Sequence, residues 1–254
     1  RTVCARQSVA VVRMKPEVSV VIPVFNEVDN IEPLAREIAA ALAERSFEVI
    51  YIDDGSTDAT AATVLRLRGA GVAPLRLLQH SRRSGQSAGV CTGVAHAQAD
   101  RVVTLDGDGQ NDPADIPALL AALAAGEAAG VRLVMGNRVS RKDTWRRHMQ
   151  SRIANGVRGW LLNDGTPDTG CGIKMFDRAV FLSLPQFDHM HRFLPALFQR
   201  YGARVVSVPV NHRPRQRGQS KYGMFDRLWV GIVDMFGVMW LARRYWPGLA
   251  AREE

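Results

Sequence analysis

Short runs of β-branched and aliphatic residues alternate with longer helical stretches through the first half of this chain, and that alternation restricts the fold more than any other feature. Val18-Ser-Val-Val-Ile-Pro23, Phe47 to Ile52, Leu75 to Leu78, Val102 to Leu105 and Leu133 to Met135 read as strands. Between them lie helical stretches: from Asn30, as N-cap, with Pro33 in the first turn, to about Arg45; then Thr57 to Arg68, Gln86 to Ala97 and Ile116 to Ala125. The strand runs are too apolar for a sheet with one face in water. The pattern predicts an α/β fold, a mostly parallel sheet with helices on both faces. The second half is less regular. It reads as a helix near Trp145 to Leu162, a Gly/Asp-rich loop from Asp164 to Gly172, a helix from Asp177 and a strand from Arg204 to Val210. A basic segment, His212 to Tyr222, and an apolar, amphipathic C-terminal helix follow. No linker rich in Gly, Ser or Pro divides the chain. The expected organisation is an extension at 1–17, one domain at 18–222, and an apolar helix and tail at 223–254.

The formal net charge is +8, a surplus that favours an anionic partner: a phosphorylated substrate, anionic lipid or nucleic acid. Cys4, Cys91 and Cys171 lie far apart with no CxxC, which indicates neither a disulfide framework nor a zinc site and fits a reducing compartment. Arg1 to Arg13 shows no signal-peptide pattern. The longest apolar stretch, Leu228 to Ala242, is interrupted by Asp234 and is shorter than the roughly 20 residues a bilayer span requires.

Polar clusters stand where strands end: Asn26-Glu27, Asp53-Asp54-Gly-Ser and Asp106-Gly-Asp108. Ligands of open α/β sheets bind outside the carboxyl ends of the strands, so three such clusters point to one shared site. In extended chain, Asp106, Asp108 and Gln110 point the same way, a hard-oxygen set suited to Mg²⁺ or Mn²⁺. Taken alone, Asp-Gly-Asp is equally consistent with a solvated turn, and the EF-hand pattern fails for want of its final Glu. His189-Met-His191 has no third ligand nearby and reads as structural or acceptor-side. Gly85, Gly89 and Gly93 recur every four residues, as close helix packing requires; no Gly-Lys-Ser/Thr follows to make a phosphate loop. Cys91 reads as a small core residue.

Four segments in order, Val21-Ile-Pro23-Val-Phe-Asn26-Glu27, Asp53-Asp54-Gly55-Ser56-Thr57-Asp58, Asp106-x-Asp108-x-Gln110-x-x-Pro113 and Arg215-x-x-Gly218-x-Ser220-Lys221-Tyr222, resemble the signature of family 2 glycosyltransferases with the GT-A fold. The last narrows the resemblance to the dolichyl-phosphate mannosyltransferase-like branch, which glycosylates polyprenyl phosphates. It runs from about Val18 to Tyr222. The resemblance implies that Pro23, Glu27 and Asp54 hold base and ribose, that Asp106, Asp108 and Gln110 hold the metal, and that Arg215, Ser220 and Lys221 close over the diphosphate. Arg138 and Arg152 match the two arginines that receive the acceptor phosphate, and Asp168 falls in the acceptor-side loop. Two departures stand out. Gly107 and Gly109 replace the usual Ala and Leu, implying a more flexible loop, and Arg82-Arg83-Ser-Gly85 replaces Arg-Asn-aromatic-Gly.

The chemistry follows from these residue types. A divalent metal with Lys221 would stabilise the leaving diphosphate. A phosphate monoester, with a second pKa of about 6, arrives ionised and already nucleophilic. It needs cations such as Arg138 and Arg152 to place it rather than a base to activate it. The expected reaction is a direct displacement with inversion, from a nucleotide diphosphate sugar to undecaprenyl or dolichyl phosphate. The competing enzyme reading, an alcohol acceptor, calls for a base carboxylate. A nucleic-acid-binding module is opposed by the acidic clusters. Trp229, Trp240, Trp246 and Arg243-Arg244 suit the C-terminal helix to the headgroup layer, or to a homo-oligomer contact. The expected location is cytoplasmic, peripheral to the cytoplasmic face of the membrane.

Overall fold

The computed structural model describes residues 15–138, 165–166, 168–214 and 224–244. Arg152, Arg215, Ser220 and Lys221, the expected helix near Trp145, and the extension before residue 15 lie outside the described residues.

The alternation resolves into β1 (Val18–Val24), α1 (Val28–Ala41), β2 (Phe47–Asp53), α2 (Thr60–Gly69), β3 (Leu75–Gln79), α3 (Gln86–His96), β4 (Arg101–Thr104), α4 (Ile116–Gly126) and β5 (Val131–Arg138). After the Gly/Asp-rich loop come β6 (Lys174–Asp177), α5 (Arg178–Ser183), α6 (Leu194–Arg200), β7 (Arg204–Val210) and α7 (Met224–Arg243). One sheet runs in the order β3-β2-β1-β4-β6-β5-β7. The β1 strand pairs in parallel with β2 and β4, β2 with β3, and β5 with β7. The exception is β6, antiparallel to both β4 and β5.

The two-residue period of β1 divides the core. Val18, Val20, Ile22 and Val24 pack with Ile31, Leu34 and Ile38 of α1 and with Leu119 and Leu123 of α4. Val21, with Ile50 and Ile52 of β2, faces the opposite layer of Val90, Val94, Phe181 and Phe198. Both faces are covered, as a mostly parallel sheet requires.

Three local expectations are corrected. Asn30 is not an N-cap: α1 begins at Val28, and Asn30 is buried inside it, its Nδ2 donating to Glu27 Oε2 at 2.7 Å. The main-chain N–H of Glu27 instead meets Thr60 Oγ1 at 3.0 Å, so a tertiary contact marks the start. The helix expected from Thr57 begins at Thr60, where Asp58 Oδ1 accepts from the Thr60 N–H at 2.9 Å. The short β6 and α6 were not expected; β6 spans four residues and lacks an alternating pattern.

Of the three spaced glycines, Gly89 and Gly93 do what close packing demands, whereas Gly85 precedes α3 at φ +91° and serves its backbone turn. A Cβ at Gly89 would lie 2.9 Å from Pro23 Cβ, and one at Gly93 would lie 2.7 Å from Ile52 Cδ1 and closer still to Val21 Cγ1. At Gly69, near the end of α2, a Cβ would meet nothing within 4 Å. Overpacking a core costs about 1–3 kcal/mol, whereas Gly→Ala at an unstrained site gains about 0.4–1 kcal/mol. Gly93→Ala should therefore lower the melting temperature by several degrees and Gly69→Ala should raise it slightly, as calorimetry can check.

Candidate active site

The carboxyl ends of β1, β2, β3 and β4 are laced together by main-chain bonds. Asp54 N donates to Val24 O at 2.9 Å, His80 N to Asp53 O at 2.9 Å, and Leu105 N to Val21 O at 3.1 Å. Asn26, at φ 53°, donates its N–H to Ser56 Oγ at 2.9 Å and accepts from Thr57 N at 2.8 Å, joining the first two polar clusters. Asp54 is buried and takes three donors: His80 Nδ1, Ser84 N and Gly85 N, each at 2.8 Å. Gly55 allows the loop after β3 to approach, since a Cβ there would sit 3.2 Å from Arg83 N. Arg83 lies 4.4 Å above the ring of Phe25.

The acidic motif after β4 is a turn, not extended chain. The β4 strand ends at Thr104, and Gly109 adopts φ +72°. Alternation therefore does not bring Asp106 and Asp108 together; the turn does, near enough for Asp106 to feel the charge of Asp108. Asp108 is buried, its Oδ1 accepting from Gln110 N at 3.1 Å. Gln110 also accepts at its carbonyl from Arg213 N at 2.9 Å. Gly107 does not loosen the loop: a Cβ there would lie 2.6 Å from Val24 Cγ1 and 3.2 Å from Pro23 O, so its absence lets the turn seat tightly on β1.

Around Asp106 stands a set of groups that sequence reasoning did not assign. Gln86 Nε2 donates to Asp106 Oδ1 at 2.8 Å, and Asp106 N donates to Asn111 Oδ1 at 3.1 Å. Lys174, opposite Thr104 in the β4–β6 ladder, is buried and donates from Nζ to the Cys171 carbonyl. Pro23, Gln86, Asp106, Gly172, Lys174 and His191 line one small cavity. Burial, reinforced by Asp108, pushes the Asp106 carboxyl above its ordinary range, while Lys174, Gln86 and Arg138 pull it down. Burial likewise lowers the Lys174 ammonium, against the attraction of Asp106. His191, held by Ser87 Oγ at 2.7 Å, falls well below the usual imidazole range through burial and the neighbouring Lys174. The His189-Met-His191 pair is split: His189 turns instead to Asp234 of α7, 3.1 Å away.

Arg138 ends β5 and is engaged two-pronged with Asp168, Nε to Oδ2 at 2.6 Å and Nη2 to Oδ1 at 2.7 Å. The start of the basic segment and the residue before it are anchored beside the acidic turn. Arg213 bridges Asp112 at 2.6 Å and Glu37 at 2.8 Å, and Asn211 N donates to Asp115 Oδ2 at 2.7 Å.

The structure thus brings Pro23, Glu27, Asp54, Asp106, Asp108, Gln110 and Arg138 to one edge of the sheet. The family model described as Glycosyl transferase family 2 matches residues 19–184, which covers all of these positions. The chain belongs to glycosyltransferase family 2. Among curated relatives, this glycosyltransferase is 34% identical over 232 residues to dodecaprenyl-phosphate galacturonate synthase of Rhizobium johnstonii, covering 89% of this chain and 68% of that one. It is 32% identical over 211 residues to undecaprenyl-phosphate 4-deoxy-4-formamido-L-arabinose transferase of Edwardsiella ictaluri, covering 82% of this chain and 63% of the relative. The chain thus spans about two thirds of the length of these relatives. Glucosyl-3-phosphoglycerate synthase from Mycobacterium tuberculosis, solved with Mn²⁺, uridine diphosphate and phosphoglyceric acid, superposes with a TM-score of 0.69 at 20% identity, covering 91% of this chain and 80% of that one. The fold is therefore the GT-A arrangement.

Gly172 generates a prediction. A Cβ there would fall inside the Asp106 carboxylate and 2.6 Å from Asn111 Oδ1. The ends of two side chains can move at little cost in stability, but a displaced carboxylate is no longer placed for chemistry. A misplacement of about 1 Å costs on the order of 10²-fold in rate. Gly172→Ala should melt within a few degrees of wild type yet lose about that much turnover, measured by calorimetry and a transferase assay.

Proposed function

We propose that this glycosyltransferase moves a sugar from a nucleoside diphosphate to a polyprenyl phosphate, with inversion, at a membrane surface. The observation that carries the reading is the placement of two unlike charge centres at one sheet edge: the Asp106–Asp108 pair at the end of β4 and the Arg138 guanidinium at the end of β5. Relatives at 34% and 32% identity are named for transfer to dodecaprenyl and undecaprenyl phosphate, which supports the acceptor class.

The residues fit a divalent cation. Asp106 and Asp108 offer hard oxygens, and the missing side chain of Gly172 keeps the space beside Asp106 Oδ2 clear. Among the described residues no three His, Cys, Asp or Glu side chains gather into a metal cage. Mg²⁺ or Mn²⁺ would take the two carboxylates and leave other positions to substrate phosphates and water. Asp106, Asp108 and Gln110 would hold the ion. When bound, it would neutralise charge on the departing diphosphate. Pro23, Glu27 and Asp54 would line the base and ribose pocket, with Arg215, Ser220 and Lys221 on the diphosphate. Arg138, its plane fixed by Asp168, would receive the acceptor phosphate together with Arg152. A fixed guanidinium places an ionised phosphate without a base. Asp168 is engaged by Arg138, which disfavours the alcohol-acceptor reading that needs a carboxylate for proton removal.

The test is formation of glycosylated undecaprenyl phosphate from UDP- or GDP-sugars with Mn²⁺ or Mg²⁺. Asp106→Ala and Asp108→Ala should reduce it by at least about 10²-fold, the scale on which a single electrostatic group acts in catalysis. Undiminished product in excess chelator would remove the metal from the proposal.

The membrane part rests on α7. Val233, Phe236 and Trp240 are exposed on one face, at 55%, 61% and 61%, with Arg243 and Arg244 exposed beyond them. No helix among the described residues is long and apolar enough to cross a membrane. Aromatic and basic residues together suit a helix lying in the headgroup layer. The cytoplasmic face is the side proposed, in keeping with the free thiols Cys91 and Cys171. Burying one such side chain is worth about 1.5–3 kcal/mol. Phe236→Ser with Trp240→Ser should weaken flotation with anionic vesicles by tenfold or more and leave nucleotide affinity unchanged. A loss of dimers instead of vesicle binding would assign the face to self-association.

A further inference from the structure

His80 has no place in the motifs above, yet it stands between two parts of the site. Its main-chain N–H continues the sheet edge, donating to Asp53 O at 2.9 Å. Its ring is largely buried, with 15% of the side chain exposed. Nδ1 lies 2.8 Å from Asp54 Oδ1, and Nε2 lies 2.9 Å from Thr92 Oγ1 on α3. A carboxylate only accepts, so Nδ1 carries the proton toward Asp54; in the neutral ring Nε2 then accepts from the Thr92 hydroxyl. The result is a relay from α3 through imidazole to carboxylate.

Its position explains what the relay does. Asp54 also accepts from Ser84 N and from Gly85 N, the latter at the N-terminal boundary of α3. The His80–Thr92 link adds a second, side-chain tie to the body of α3, which the glycine contacts at Pro23 and Val21 seat directly on β1. The first turn of that helix holds Asp106 through Gln86. Asp54 thereby acquires a fixed carboxylate plane relative to the rest of the site.

We propose that His80 is a positioning residue for nucleotide recognition: by bridging Thr92 to Asp54 it orients the carboxylate that contacts the base, and so sets donor affinity without taking part in the displacement. This rests on the reading of Asp54 as a base contact under the proposed function.

Two amides separate the roles of the ring nitrogens. In His80→Asn the amide nitrogen stands near Nδ1 and still donates to Asp54; in His80→Gln it stands near Nε2 and reaches Thr92 instead. The probes are UDP and GDP with Mn²⁺, titrated by calorimetry, with inorganic pyrophosphate as the control that lacks a base. His80→Gln should raise the Kd of the nucleotide that wild type binds, and the KM of its sugar, by about tenfold, the scale of one hydrogen bond to a charged group. Its kcat and pyrophosphate Kd should stay within about twofold. His80→Asn keeps the bond to Asp54 but loses the anchor to Thr92, so its nucleotide Kd should rise by an intermediate factor, about threefold. Its kcat and pyrophosphate Kd should again stay within about twofold, a donor-specific pattern of loss that a merely structural role would not give. Wild-type nucleotide affinity in His80→Gln would overturn the proposal. So would a parallel fall of melting temperature, kcat and affinity in both amide variants. Asp54→Asn tells this failure from failure of the underlying reading. Unchanged nucleotide affinity in Asp54→Asn removes Asp54 from the base pocket and the His80 proposal with it. Weakened affinity there, beside an unaffected His80→Gln, removes His80 alone.

Discussion

The antiparallel pairing of β6 with β4 is the contact on which the site depends. Because β6 runs against β4, from Thr104↔Lys174 to Arg101↔Asp177, the start of β6 lies beside the end of β4. The loop that precedes β6 is thereby delivered to the acidic turn. Thr104 Oγ1 donates to Gly172 O at 3.0 Å, Gly172 lies against the Asp106 carboxylate, and Lys174 is buried close to it. The same strand also pairs with β5, so Asp168 lies within reach of Arg138. Asp106, with Asp108 beside it, and Asp168 are thus gathered with the cations Lys174 and Arg138. Burying charges is tolerable when they are so compensated and costly when they are not.

The second organising element is α3. Its glycines let it lie directly on β1 and β2, and from that seat it touches three sides of the site. Gln86 holds Asp106, Ser87 holds His191, and Thr92 holds His80 and through it Asp54. A helix kept at ordinary distance by larger side chains would put these polar groups out of reach. Packing density in this layer and placement of the reactive groups are therefore one requirement.

The parallel half of the sheet was legible because fully buried strands are continuous apolar runs: β1 and β2 begin at the expected Val18 and Phe47, and β7, only partly buried, also spans the expected residues. The acidic clusters at strand ends were legible for the topological reason that such ends face the ligand crevice. What escaped depends on partners distant in sequence. The β6 strand has four residues, too few for a periodicity, and its Lys174 reads as an ordinary surface lysine until β4 lies beside it. His80 sits between a strand and a polar loop, with nothing local to name Asp54 or Thr92 as its neighbours. Asn30 looked like a cap because caps are polar, yet the contact of Glu27 with Thr60 marks where α1 begins. The acidic motif departs from the expected geometry, since a turn and not an extended strand joins Asp106 to Asp108.

Under the proposed function, a largely enclosed Arg138 locked onto Asp168, beside an acidic pair, would place an ionised nucleophile rather than create one. Transfer measured side by side on undecaprenyl phosphate and undecaprenol, with donor saturating, tests this most directly. The expected result is turnover on the phosphate and none detectable on the alcohol, with Arg138→Ala lowering turnover on the phosphate. Comparable turnover on undecaprenol, or phosphate turnover unaffected by Arg138→Ala, would contradict it.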